Sequence, residues 1–166
     1  MTMYCMAPSG SASGGYLKAF FKKKRVSSLS VTVGSLGTTP THTVSWGAND
    51  PTADGGPGGD SFLTVDGVNV ATAKGGAGGV SYPRHNNAAP AGGAILVNGG
   101  ATVLEGTKGN DGQVAPAGWQ GTYFGGTAAA ASVYKGYGKG STGKTLTTNG
   151  TPGTAGYVKI TVRYVR

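Results

Sequence analysis

Glycine occupies 33 of the 166 positions, and this abundance constrains the fold more than any other feature of the chain. A helical fold is excluded, because an interior glycine costs a helix about 1 kcal/mol relative to alanine. No G-X-Y period is present, which excludes a collagen triple helix. Large aliphatic and phenylalanine side chains are too few for a conventional core, and charged residues, at 12%, are too few for a charge-expanded coil. The chain is therefore either a disordered glycine-rich segment or an ordered fold that packs backbone against backbone.

The glycines divide the chain into three parts of one glycine-rich domain spanning 1–166. Residues 1–54 contain six glycines and several strand-like runs, residues 55–156 contain 27, and residues 157–166 contain none. The last part alternates strictly, with β-branched residues on one face and charges on the other, which predicts a strand over 157–165. Such a definite strand argues against global disorder, and we expect it to pair with the N-terminal part.

Two further regions, 26–33 and 61–72, predict strands, and a third run, at 42–46, is shorter. Residues 26–33 alternate between apolar and polar side chains, and residues 42–46 form the short run. Residues 61–72 predict a hairpin, because Asp66-Gly67 suits the positive φ angles of a type I′ turn. We expect almost no α-helix.

The glycine runs between these strands are short and not periodic. They suit extended left-handed helices with three residues per turn, because glycine lets neighbouring helices approach and pair N–H with C=O. The alternative interpretation is a flexible linker. The definite C-terminal strand favours the ordered arrangement.

Motifs typical of enzymes and cofactor sites are weak. Residues 138–145 match the phosphate-binding pattern G-x-x-x-x-G-K-[ST], but residues 146–153 cannot form the helix that this chemistry needs. Residues 55–62 match one unit of a calcium-binding repeat, with an imperfect copy at 106–111, too far away to share an ion. No His or Cys pair has metal-ligand spacing. We therefore expect a non-enzymatic protein without metal or cofactor.

The net charge is +8, and four of the cations form the run Lys22-Lys23-Lys24-Arg25. This run has two interpretations, a contact with nucleic acid or another anionic surface, or a solvated turn or sheet edge. Cys5 is the only cysteine, so no disulfide framework is expected. We also expect no signal peptide and no membrane span, because no apolar run is long enough.

Several motifs, in this order, resemble the glycine-rich tip domains of tailed-bacteriophage tail fibres. An early strand, Tyr4-Cys5-Met6, is followed by a Ser/Gly stretch, and S-V-T-V-G at 30–34 is similar to the family's V-T-V-G. G-G-P-G-G-D-S-F at 55–62 resembles the element before the central hairpin. The segments at 71–79 and 136–140 and the ending at 152–165 resemble the elements that follow it. The resemblance covers essentially the whole chain.

The resemblance implies a bundle of polyglycine-II-type helices capped by short β-strands, located at the tip of a phage tail fibre or tail in the virion. It implies that loops between the helices bind a host surface receptor, either an outer-membrane protein or a glycan. Other fibre proteins would be partners, and this chain would either form a trimer or cap a trimer of those proteins. The alternatives are a non-adhesive structural or capping protein of the virion, and a basic nucleic-acid-binding protein.

Glycine helices carry no side chains, so specificity must come from the segments between the runs. The segments 42–52, 80–90 and 114–124 are the richest in aromatic, charged or proline-anchored residues, and their prolines would reduce the ordering entropy on binding. Tyr and Trp on loops are typical of recognition surfaces, although they can also pack on glycine backbone. The candidate receptor-binding residues are Trp46, Tyr82, Arg84, His85, Asn86, Trp119, Gln120, Tyr123 and Phe124.

Overall fold

A computed structural model describes residues 2–6, 12–38, 55–78, 91–112 and 153–163, and no helix occurs within these ranges. This part of the chain is built from strands and extended glycine-containing segments. Its strands are β1 (Thr2–Met6), β2 (Tyr16–Phe20), β3 (Leu29–Thr32), β4 (Ser61–Val65), β5 (Val68–Ala73), β6 (Ile95–Val97), β7 (Thr102–Thr107) and β8 (Tyr157–Thr161).

The strands form two antiparallel four-stranded sheets. One has the order β7-β2-β1-β8 and the other the order β3-β4-β5-β6. The sheets pack face to face, since β2 and β1 contact β5, β7 contacts β6, and β8 contacts β4. The first sheet brings the two ends of the described chain together, because β1 lies between β2 and β8.

A small core fills the space between the sheets. The alternation of each strand turns one set of side chains inward, as in the pattern of buried and half-buried residues along β4. The buried side chains of this core are Leu17, Ala19, Leu63, Val65, Val70, Ala71 and Ala73. Three of the seven are alanine, so the sheets hold few large apolar groups between them.

Several of the expected strands are present. The hairpin at 61–72 is confirmed as β4 and β5, and its turn has positive φ at both Asp66 (48°) and Gly67 (79°). The C-terminal strand is confirmed over Tyr157–Thr161, and it pairs with β1 as expected. Within 26–33 the strand covers Leu29–Thr32. The short run at 42–46 lies outside the described residues.

The sequence did not predict β2, β6 or β7. Residues 95–97 and 103–104 are apolar runs that are too short to indicate strands by themselves. In the structure they belong to the edge strands β6 and β7, which pair with β5 and β2. The inner strand β2 follows a Ser/Gly stretch, and only two of its residues, Leu17 and Ala19, belong to the core. Two positions are too few to show an alternating pattern. The pairing of β2 with β1 on one side and β7 on the other decides its conformation.

The two ends of the sandwich differ. At one end, which we call the hairpin end, lie the connection at 21–28, the turns at 66–67 and 98–101, and the end of the last strand with the residues after it, 161–163. At the other end, which we call the glycine end, the strands are continued by extended segments. The glycine segments described there are 12–15, 34–38, 55–60, 74–78, 91–94, 108–112 and 153–156.

Candidate functional site

All nine candidate receptor-binding residues lie outside the described residues. They belong to three stretches of chain, 39–54, 79–90 and 113–152. What the structure does describe is where each stretch leaves the fold and where it returns.

The points of departure and return lie side by side at the glycine end. The first stretch leaves after Thr38, whose carbonyl accepts the Gly56 N–H at 2.9 Å just after the chain returns. The second leaves after residue 78 and returns at Ala91, whose carbonyl accepts the Ala77 N–H at 3.0 Å. The third leaves after Gly112, next to Asp111, which bonds to Gly92, and returns before Gly156, whose N–H donates to Gly34 O at 3.4 Å. The ends of all three stretches therefore lie on one hydrogen-bonded platform, although they are far apart in sequence.

The platform is held mainly by backbone groups. Segment 12–15 bonds to three different neighbours, because Gly15 N–H donates to Lys74 O at 2.9 Å, Gly93 N–H to Ser13 O at 2.9 Å, and Ser13 N–H to Asn110 O at 3.0 Å. The segments approach so closely that side chains are excluded between them. A Cβ built on Gly109 would fall more than an ångström inside ordinary contact with the Ser13 carbonyl oxygen.

Short polar side chains complete the platform. Ser13 is buried, and its Oγ accepts the Asn110 N–H at 2.7 Å. Asp60 accepts the Gly75 N–H at 2.9 Å, and Asp111 accepts the Gly92 N–H at 2.7 Å. These are the two aspartates of the calcium-like matches, and here each holds a neighbouring glycine segment.

The electrostatics of Asp111 follow from that role. The Gly92 N–H, and then the Lys108 ammonium, lower the pKa of the Asp111 carboxyl. The carboxylate is thus stabilised as an acceptor at the point where the third stretch leaves the fold. The sequence signal for this residue is its position three residues after Lys108, but its glycine partner is 19 residues away and could not be foreseen.

The basic run lies at the opposite end of the sandwich. Residues 22–25 belong to the connection from β2 to β3, which crosses from one sheet to the other, and all four are exposed. Asp66, in the β4–β5 turn, fixes this connection: its carboxylate accepts the N–H groups of Ser27 and Ser28, each at 2.7 Å, and pairs with Lys23. The Lys23 ammonium and these two N–H groups lower the pKa of Asp66 to about 2.

On the outer face of the β7-β2-β1-β8 sheet, Glu105 accepts hydrogen bonds from Lys18 at 2.5 Å and from the Tyr16 hydroxyl at 3.2 Å. The Lys18 ammonium is the main cause of a lowered pKa of Glu105. This cross-strand pair links β2 to the edge strand β7. It is a structural contact within the sheet.

Two kinds of site, a metal-binding cluster and a membrane-spanning helix, are absent from the residues that the structure describes. Within the described ranges, no group of three or more His, Cys, Asp or Glu side chains could hold a metal ion. No helix in these ranges is long and apolar enough to cross a membrane. The phosphate-loop-like match at 138–145 lies outside the described residues, as do both histidines.

Comparison with known proteins gives no relatives: no protein-family model, no curated protein sequence and no solved structure matches this chain.

Proposed function

We propose that this protein is a structural component of a phage virion, located at the tip of a tail fibre or tail, that binds a host surface receptor. The resemblance in motif order suggests this class. The observation that carries the proposal is the common anchoring of the stretches 39–54, 79–90 and 113–152 at the glycine end. These stretches contain all nine candidate residues.

The physical argument concerns the entropy of binding. Ordering interface loops costs free energy on association, and holding their ends in place reduces that cost. Here the ends are held by backbone hydrogen bonds between segments that no side chain separates. A backbone platform that holds the ends of long stretches of chain is suited to recognition, because residues in such stretches can be substituted without altering the platform.

We further propose that the glycine segments form a polyglycine-II-type bundle. A segment in a sheet can bond to a neighbour on each of two sides, whereas segment 12–15 bonds to 74–78, 91–94 and 108–112, and segment 74–78 also bonds to three. Three neighbours suit a bundle of threefold helices. A crystal structure tests this: backbone dihedral angles of the polyproline-II type, of either sign, in these glycines support the bundle, and those of an antiparallel β-strand contradict it.

No catalytic role is part of the proposal, and the four acidic residues that the structure describes make structural contacts. Asp60, Asp66, Asp111 and Glu105 each hold backbone or a neighbouring side chain. Receptor binding requires only a surface that stays fixed while the cell is encountered. The protein therefore needs no cofactor in this function.

The test is adsorption of the purified chain to host cells. Arg84→Ala and Trp119→Ala should each weaken adsorption by about 1–2 kcal/mol if they are binding hot spots. The urea unfolding midpoint should stay unchanged. Lys159→Ala is the control, because Lys159 is an exposed cation on β8, away from the glycine end.

Three results would contradict the proposal. The two substitutions could unfold the domain, which would make these residues structural. Adsorption could remain untouched while charge reversal in 22–25 abolishes it, which would place the site at the hairpin end. Immunogold labelling could find the chain away from fibre tips, which would favour a non-adhesive virion protein.

A further inference from the structure

The hairpin end combines exposed cations with exposed aliphatic side chains. Its cations are the run 22–25 and Arg163, and its aliphatic side chains are Val26, Leu29, Val68 and Val162, between 43% and 54% exposed. We call this set the hairpin-end patch. It is on the opposite end of the sandwich from the glycine segments and does not depend on the proposed receptor function.

The fold brings these residues together from distant parts of the sequence. Phe20, which precedes the cationic run, and Thr161, which precedes Val162 and Arg163, both pair with Thr2 from opposite sides. The strands that carry them are therefore two strand spacings apart, about 10 Å. The β4–β5 turn joins the same end through Asp66, which holds the connection at 27–28.

The charge of this end is strongly unbalanced. Five cations face one acid within the described residues, and that acid, Asp66, already pairs with Lys23. Lys22, Lys24, Arg25 and Arg163 are exposed, and the described part of the chain offers them no ion pair. A second copy of this chain would bring like charges together, so self-association through this patch is disfavoured.

The combination of groups selects among anionic partners. The four exposed aliphatic side chains cannot stack on bases, so they add little to nucleic-acid binding. The exposed ring of Phe20 lies at the same end and suits a base or the bilayer interface equally. Cations beside aliphatic side chains suit the boundary between phosphate headgroups and acyl chains, where both find partners.

We propose that the hairpin end is a peripheral binding surface for an anionic lipid bilayer. The four unpaired cations contact headgroup phosphates. The valine and leucine side chains enter the shallow apolar layer beneath them. Asp66 keeps the cationic connection in place, so the charges are presented together.

The experiment is co-sedimentation of the full chain with vesicles of phosphatidylglycerol and phosphatidylcholine, compared with vesicles of phosphatidylcholine alone. Wild type should bind only the anionic vesicles. Lys24→Gln with Arg25→Gln should lower the partition coefficient about 25-fold, which is about fivefold for each neutralised cation. Val26→Ser with Val68→Ser should reduce the binding that remains at high salt.

Lys74→Gln with Lys159→Gln is the matched control, since it removes the same charge from exposed lysines outside the patch. An equal loss in this control would overturn the proposal, because binding would then follow net charge alone. Equal binding to neutral vesicles would also overturn it. Full competition by duplex DNA, with no effect of the serine variant, would identify the patch as a nucleic-acid site instead. If the Lys24/Arg25 variant does not fold, Lys22→Gln with Arg163→Gln tests the same surface.

Discussion

Substituting Gly109 by alanine tests the backbone packing on which the glycine end depends. Gly109 is buried, and its N–H donates to Gly93 O at 2.8 Å. A Cβ at this position would overlap the Ser13 carbonyl oxygen and carbon. Both are backbone atoms, so no rotamer change can relieve the overlap and the two segments must move apart.

The cost follows from the hydrogen bonds that this movement breaks. Displacing the backbone of residues 109–110 from its neighbours breaks three bonds: Gly109 N–H to Gly93 O, Ser13 N–H to Asn110 O, and Asn110 N–H to Ser13 Oγ. At about 1 kcal/mol each, their loss destabilises the protein by about 3 kcal/mol. Alanine restricts the unfolded chain, which offsets about 0.4–1 kcal/mol. We expect a net decrease of about 2–3 kcal/mol in the free energy of unfolding.

The assay is urea unfolding followed by the fluorescence of the two tryptophans. Gly106→Ala is the control: a Cβ there would meet the Ile95 Cδ1 atom, the end of a flexible side chain that can rotate away. It should lower the free energy of unfolding by about 1 kcal/mol, the low end for an added methyl group, because side chains rather than backbone must move. Gly15→Ala should be intermediate, because its Cβ would lie 2.8 Å from the Ala94 carbonyl oxygen.

A Gly109→Ala variant as stable as Gly106→Ala would refute this reasoning, because the segments could then separate without loss. If Gly109→Ala does not fold, the comparison of Gly15→Ala with Gly106→Ala makes the same test at a smaller overlap. A larger cost at Gly106 than at Gly15 would then contradict close backbone packing.

Three further predictions concern other parts of the fold. Folding lowers the pKa of Asp66 from 3.8 to about 2, so its carboxylate stabilises the fold above pH 4 and loses this effect as the pH falls through 2. Asp66→Asn should therefore lower the Tm at pH 7 but hardly at pH 2. Tm profiles of the two proteins that run parallel from pH 7 to pH 2 would contradict this. Leu63→Ala should cost about 2–5 kcal/mol in urea unfolding and Leu104→Ala less than about 1, since only Leu63 is buried; equal costs would contradict the assigned core. Ser13→Ala should cost about 1–3 kcal/mol by leaving the Asn110 N–H without its acceptor, and a neutral result would show that water replaces Ser13 Oγ.

The strands with strong local signals were predictable from the sequence. The Asp66-Gly67 turn needs positive φ at both positions, and few residue pairs other than Asp-Gly and Asn-Gly adopt it, so the hairpin follows from local chemistry. The strand at 157–161 follows from strict alternation. The absence of helix from the described residues follows from glycine content.

The sequence could not place residues whose roles depend on distant partners. Asp60 and Asp111 matched a calcium pattern, yet each accepts the N–H of a glycine in another segment. The sequence left the role of the run at 22–25 open. Two contacts place it at one end of the sandwich: Phe20 pairs with Thr2 of β1, and the Ser27 N–H bonds to Asp66. Such contacts join residues 15 to 39 positions apart, so no local pattern reports them.

By itself, the sequence determined that this chain is built from short strands and extended glycine segments, because backbone freedom and alternation are local properties. The tertiary structure alone decided that the described glycine segments gather at one end and the basic run 22–25 at the other. That division arises from strand register. Met6 pairs with Tyr16 and Tyr157, which directly follow the glycine segments 12–15 and 153–156, and Thr2 pairs with Phe20 and Thr161, after which the basic residues come. Register is fixed by which faces are buried together, and this depends on all the strands at once.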